Sequence, residues 1–150
     1  MREIKLKAWN KATKKMYEVI KIDFYNEKVG YLFADPITQG EAIGYFKFSD
    51  IDLMEYTGLK DKNGKEIYEG DICRWRDLET FNDEILEDIF VVVWNDEKLA
   101  WYTQNEDGNF GYDLYEYTDD RDLGVIGNIY ENIDLLEVEE WTKESLKQKS

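Results

Sequence analysis

The chain has no histidine and one cysteine, Cys73, among its 150 residues. Without histidine it lacks the usual general acid–base side chain, the Ser-His-Asp and Cys-His arrangements, and most transition-metal sites. A single cysteine rules out an intrachain disulfide framework and fits a reducing compartment. Cys73 lies in a strand-like run with no histidine to activate it, so a buried, inert thiol is expected. Proline occurs once, at Pro36, so the chain is neither collagen-like nor Pro-rich. It has no Gly-rich phosphate loop. No apolar run approaches the ~20 residues of a membrane span, and MREIKLKAW has no apolar core of signal-peptide length. A soluble protein with no membrane partner is expected.

Positive charge is scarce in the second half. Residues 1–28 carry eight Lys/Arg against four Asp/Glu, whereas residues 77–140 carry two against twenty, within a net charge of -15. Such an acidic body repels phosphate backbones, and its plainest reading is a solvated surface. What the chain does hold is aromatic: 11 Tyr, 7 Phe and 5 Trp, residue types that favour strands and argue against disorder.

Periodicity gives short strands separated by turn residues. Ile4, Leu6 and Ala8 alternate with Lys5 and Lys7, Met16–Phe24 reads as one strand, and Val29–Phe33 returns to complete a meander. After the Pro36/Gly40 loop, Ala42–Phe48 is a strand with Ile43, Tyr45 and Phe48 facing one way. A short turn capped at Ser49-Asp50 leads into Ile51–Tyr56, whose alternation breaks at Met54. Asn63-Gly64 signals a hairpin with a type I′ turn, in which both central residues take positive φ. Ile72–Trp75 starts a strand, and Asp77–Asp88 reads as an acidic loop with at most one helical turn. Phe90–Trp94 (FVVVW) is a core strand that pairs back with Leu99–Thr103. Asp107-Gly108 is a second hairpin signal, followed by a strand over Phe110–Tyr117. Leu123–Tyr130 closes the sheet, Asn132–Leu136 is a short capped turn, and Glu139–Ser150 is a frayed tail. Many short strands with turn signals between them predict an all-β fold, barrel or sandwich.

Three stretches carry a resemblance. Tyr56–Ile72 (YTGLKDKNGKEIYEGDI) resembles the hallmark of the YopX family of phage and prophage proteins. Arg2-Glu3-Ile4-Lys5 with Ala8-Trp9 and Lys15-Met16 is similar to that family's N-terminus. Val125–Asn132 (VIGNIYEN) with Leu135-Leu136 is similar to its C-terminal signature, with Asn132-Ile133 where Asn-Pro is common. The resemblance implies a small N-terminal antiparallel β domain followed by an SH3-like β-barrel. The division is then a β domain over 1–55, a hairpin and connector over 56–72, the barrel over 73–138 and a tail over 139–150. It also implies a phage or prophage accessory protein in the cytoplasm of a bacterial host, and it supplies no catalytic residues.

Read on their own, the remaining constellations are weak. Asp119, Asp120 and Asp122 cluster, and Asn105, Asp107 and Asn109 alternate around Gly108, but neither completes a calcium-loop pattern. No metal, cofactor or enzymatic activity is expected. Two classes of function remain. One is a protein-interaction module, possible homo-oligomers included, with candidate contacts Trp94, Trp101, Tyr102, Tyr112 and Tyr115. The alternative is linked to nucleic acid. The acidic half would act as a DNA mimic, or the basic N-terminal face of Arg2, Lys5, Lys7, Lys14 and Lys15, with Trp9 and Lys11 among them, would bind nucleic acid weakly.

Overall fold

The computed structural model describes residues 2–77, 86–118 and 122–136. They form an all-β protein whose chain divides into two compact units, residues 1–56 and 57–150. The first unit holds β1 (Leu6–Asn10), β2 (Lys15–Val19), β3 (Lys21–Asp23), β4 (Lys28–Ala34), β5 (Glu41–Lys47) and the start of β6 (Ile51–Lys60). β1 pairs antiparallel with β2 on one side and with β6 on the other. β3, β4 and β5 make a separate antiparallel sheet in that order.

The stretch Met16–Phe24, expected as one strand, is two. The chain leaves the first sheet at Ile20, whose N–H donates to the Gly30 carbonyl at 2.9 Å, and continues in the second sheet. A strand that switches sheets turns a corner, and both sides of this corner are extended, so the residues look uniformly β. Ala8, Val29 and Ile51 form the buried centre, with Val19, Ile22, Phe46 and Phe48 packed against it. Phe48 therefore does not share a face with Ile43 and Tyr45. It sits in the 3-10 turn Phe48–Asp50, which rotates it inward, while Ile43 and Tyr45 stay exposed. The alternation does break at Met54, within a strand that runs past Tyr56: β6 is 10 residues long and buries Ile51 and Met54 on opposite sides. Burial on both faces is what erases the simple alternation.

Turns in this protein are built by Asp and Asn side chains, which explains how the fold turns so often with so little proline. Asn10 Oδ1 accepts from the N–H groups of Ala12 and Thr13 at 3.0 and 2.9 Å, and Asn95 Oδ1 accepts from Glu97 and Lys98 at 3.0 and 3.1 Å. Asp23 and Asp35 do the same for Asn26 and Ile37. Each of these four loops ends on a left-handed residue that is not glycine: Lys14, Glu27, Gln39 and Leu99, with φ from 53° to 60°. The side-chain oxygen imitates a backbone turn, so no special residue is needed at the centre.

The Asn63-Gly64 hairpin obeys the same logic and is not the expected type I′ turn. Only Gly64 has positive φ, +79°; Asn63 does not. Asp61 N–H donates to the Lys65 carbonyl at 2.8 Å and Gly64 N–H to the Asp61 carbonyl at 3.0 Å, which makes a three-residue loop closed by a left-handed glycine. Asp61 Oδ1 accepts from Asn63 and Lys65, each at 2.9 Å, and that double bond selects the turn.

The second unit continues from β6 into β7 (Glu66–Tyr68), β8 (Asp71–Asp77), β9 (Leu86–Asn95), β10 (Ala100–Gln104), β11 (Phe110–Asp113), α1 (Tyr115–Thr118) and β12 (Asp122–Asn128). Five of these strands form one antiparallel sheet ordered β11-β10-β9-β8-β12, so the last strand returns beside β8. Its two faces carry separate cores. Ile67, Cys73, Phe90, Val92, Leu114, Tyr117 and Leu123 are buried together on one. Ile72, Val91 and Leu136 are buried together on the other, with Ile89, Val93, Ile126 and Ile129 against them.

Residues 78–85 of the acidic Asp77–Asp88 excursion lie outside the described residues, and residues 86–88 already belong to β9. The strand expected over Phe110–Tyr117 stops at Asp113. Asp113 Oδ1 accepts from Tyr115 N–H at 2.9 Å and starts the one-turn helix, which drops Leu114 and Tyr117 into the core at helical spacing. The closing strand ends at Asn128 instead of Tyr130, because Asn128 Oδ1 accepts from the N–H groups of Tyr130 and Glu131 and bends the chain. A 3-10 turn over Ile133–Leu136 follows, and the tail from 137 lies outside the described residues.

Candidate protein-interaction site

The five aromatics expected as partner contacts do not converge on one patch. Trp94 and Trp101 are register partners on β9 and β10, and their rings meet edge to face at 5.0 Å. They extend the row of Phe90 and Val92, with Trp101 packed against that core and Trp94 39% exposed at its margin. Tyr102 points to the opposite face of the sheet, where it meets Phe110 edge to face at 6.3 Å. Tyr112 and Tyr115 are the most exposed of the five, at 67% and 64%, and Phe110, which the sequence reading passed over, is 55% exposed. Phe110, Tyr112 and Tyr115 lie within six residues on the edge strand β11 and α1, interleaved with Asp113 and Glu116. Phe110 was missed because its run read as a core-facing strand with half its aromatics inside.

The basic N-terminal set is largely neutralised by its own unit. Arg2 pairs with Glu55 at 3.4 Å, Lys5 with Glu3 at 3.0 Å and Lys11 with Asp52 at 3.7 Å. Lys14 is the left-handed closing residue of its turn, Lys15 opens β2 from an exposed position, and Lys7 on β1 also has an interaction partner. Trp9 is buried, so its ring is not presented for base stacking.

A mixed surface lies on the outer face of the β3–β4–β5 sheet, where Lys21, Lys28 and Lys47 share one facing with Asp23, the register partner of Lys28, and with Glu41. Leu32, Ile43 and Tyr45 are exposed there by 46%, 48% and 43%. Leu32 and Ile43 are register partners, as are Lys28 and Lys47. Lys28 Nζ and Lys21 Nζ lie 4.5 and 5.8 Å from the centre of the Tyr45 ring, within reach of cation–π attraction. The alternation of 41–47 showed two facings, but it could not say that the Ile43/Tyr45 side is the open one.

Several acidic residues of the second unit are committed to structure. Asp61 is 8% exposed, and besides the two turn N–H groups its Oδ2 accepts from Val125 N–H at 3.0 Å. Asp122 accepts from Arg76 Nε and Nη2, both at 2.8 Å, and from Lys62 Nζ. Its carboxyl is held below the ordinary value, first by the Lys62 hydrogen bond and then by Arg76, against an opposing effect of burial. Asp119 and Asp120, which the sequence groups with Asp122, lie outside the described residues. Asn105 Oδ1 is occupied by the N–H groups of Asp107 and Asn109, so that alternating triplet is a turn. Burial pushes the Cys73 thiol far above its usual range, with Asp71 and Asp61 adding to the effect. Among the described residues no group of three His, Cys, Asp or Glu side chains is placed to hold a metal ion, and no helix is long and apolar enough to cross a membrane.

The profile of the YopX protein family matches residues 5–137. The chain belongs to the YopX family. Among solved structures it is similar to the crystal structure of protein EF1440 from Enterococcus faecalis, at 26% identity and a TM-score of 0.61, covering 91% of this chain and 100% of that one. No curated protein matches. The YopX signature at the C-terminus has a physical reading here. Asn132 Oδ1 accepts from Asn128 N–H while Asn132 N–H donates back to the Asn128 carbonyl, so the GNIYEN segment locks onto itself. Gly127 admits that lock, since a Cβ there would meet Asn132 Oδ1 at 2.6 Å. Ile133, in place of proline, opens the following 3-10 turn.

Proposed function

We propose that this YopX protein is a non-enzymatic phage or prophage accessory protein that works by binding another protein through its second unit. The observation that carries this reading is the exposed Tyr112 and Tyr115 beside Asp113 and Glu116 on the acidic, aromatic edge, together with the half-open Trp94. Aromatics of this kind supply contact area at little entropic cost and are the favoured anchors of interfaces. The second unit reads as SH3-like: four antiparallel strands in succession, a one-turn helix, then a fifth strand set back beside the first. Small barrels of this sort present their loops and edge strands to partners while the core stays fixed. The internal pairing of Arg2, Lys5 and Lys11 argues against a phosphate track on the N-terminal face.

The test is capture of partners from host cells by tagged wild-type chain and by a Tyr112→Ser/Tyr115→Ser variant. Both positions are exposed, so the variant keeps its fold. A protein held by the wild type and lost by the variant supports the reading, and equal capture by both refutes it. Added duplex DNA leaves the captured protein bound; displacement by DNA would favour mimicry instead.

A further inference from the structure

We propose that the free edge of β5 pairs with β5 of a second copy of this chain, antiparallel about a two-fold axis at Gly44, so that two three-stranded sheets become one of six strands. The contact lies in the first unit and is independent of the second-unit edge described above. Three observations carry it. First, the edge is open and unguarded. β5 ends its sheet and runs beside β4 for seven register pairs without a bulge. It holds no proline, and its five central residues, AIGYF, carry no charge. These are the devices by which proteins keep an edge strand solitary. Second, the backbone groups on that edge form one regular set. Asp35 N–H donates to the Gly40 carbonyl and Phe48 N–H to the Glu27 carbonyl, and both bonds continue the β4–β5 register. The even-numbered residues of β5 therefore turn their N–H and C=O groups to β4, and Glu41, Ile43, Tyr45 and Lys47 turn theirs outward. Among the described residues no strand or turn hydrogen bond takes them up.

Third, the outward set is self-complementary. Laid antiparallel about Gly44, Glu41 meets Lys47 of the second copy and Ile43 meets Tyr45, and the same pairs recur on the other side of the axis. Each pair joins two residues with outward backbone groups, so each exchanges two hydrogen bonds, about eight in all. A slip of two residues keeps that parity but sets Glu41 against Tyr45, or Lys47 against Ile43, and leaves the opposite charges apart. The neighbouring strands agree with the unslipped register. Within one copy Lys28 and Lys47 are direct register partners, an unfavourable pairing of like charges, and Asp23 faces Lys28 from β3. Pairing of the copies sets Glu41 on the far side of Lys47, so the row reads Asp23, Lys28, Lys47, Glu41, acidic at both ends. In the adjacent row Leu32 and Ile43 meet Tyr45 of the second copy, and three exposed apolar side chains become one band. The net charge of -15 opposes association, so this local match must overcome a general repulsion.

The test uses the full chain in sedimentation velocity, from dilute solution to the concentration of an NMR sample, with amide hydrogen exchange read by NMR. Wild type goes from one copy to two and stops there, because an isologous contact closes on itself. On pairing, the amides of Glu41, Ile43, Tyr45 and Lys47 gain protection, in alternation with Ala42, Gly44 and Phe46, which β4 already protects. Glu41→Lys and Lys47→Glu, each at an exposed position, alone associate at least about 10-fold more weakly, since two opposite-charge pairs become two like-charge pairs. Mixed in equal amounts they pair with each other, and the double variant Glu41→Lys/Lys47→Glu pairs with itself, because both arrangements restore opposite charges in this register. Far-UV circular dichroism confirms the fold of each variant; should a charge variant fail to fold, the exchange pattern of the wild type decides alone. A wild type that stays monomeric throughout overturns the proposal, even if the edge accepts a strand from another protein. A dimer whose charge variants associate as wild type does, or whose four outward amides exchange as they do in the single copy, has its contact elsewhere and overturns it too.

Discussion

Removing the Asp61 carboxylate should cost about 3 kcal/mol of stability. Asp61 is 8% exposed and accepts three backbone hydrogen bonds, from Asn63, Lys65 and Val125. The first two N–H groups sit in an exposed turn, so water replaces the carboxylate in Asp61→Ala and each loss costs only about 0.5 kcal/mol. Val125 N–H is part-buried and 64 residues away in sequence. Leaving it without an acceptor costs about 2 kcal/mol. For a chain of this length the total lowers the melting temperature by about 6–12 °C. Asp61→Asn separates the contributions: Oδ1 still holds the turn, but the new amide NH2 faces another donor at Val125, so most of the loss remains. Tryptophan fluorescence in urea is the assay, because Trp75, Trp94, Trp101 and Trp141 belong to the second unit and only Trp9 to the first. An Asp61→Ala midpoint corresponding to less than about 0.5 kcal/mol would refute the view that this side chain ties the hairpin to β12, since that is the size of an ordinary surface change.

Other perturbations probe other links. Leu99 is 73% exposed at φ +53°, a conformation costly for a side chain of that shape, so Leu99→Asn should stabilise by about 0.5–1 kcal/mol in the same urea titration. Gly127→Ala should destabilise by about 2 kcal/mol or more, because Asn132 occupies the space of the new methyl; a neutral result would mean the C-terminal lock is dispensable. The folded-state pKa of Asp122 is depressed below its unfolded value, so its contribution is full above an unfolded pKa of about 3.9 and is lost as pH falls through the folded value. Lys62→Met should therefore lose less stability than wild type between neutral and strongly acidic pH, and parallel acid profiles would contradict that. Cys73 is fully buried with a raised pKa, so a thiol reagent should label it only in denaturant; rapid labelling of the native chain would count against the core placement.

Much of the architecture was legible because it rests on local patterns. FVVVW is a buried strand by composition, and Asn63-Gly64 and Asp107-Gly108 lie in turns whose glycines do take positive φ. The geometry of those turns was not legible, because it is set by Asp61 and Asn105, two and three residues upstream. Their polarity looked like mere solvation. Ile20 shows a second limit: a corner between two sheets leaves the extended backbone unchanged on both sides. Leu114 and Tyr117 show a third. Their helical spacing was hidden in a run of strand-forming aromatics, and only the Asp113 cap decided for helix. The exposed surfaces were half visible. Tyr112 and Tyr115 could be named, but Phe110 and the Tyr45 face could not, since alternation gives two facings and only the packed fold says which is open.

The most direct test of the account is capture by wild-type chain and by the Tyr112→Ser/Tyr115→Ser variant, both shown to be folded. The account predicts a protein retained by the first and absent from the second. Identical capture by the two would contradict the claim that the acidic, aromatic edge of the second unit is where this protein acts.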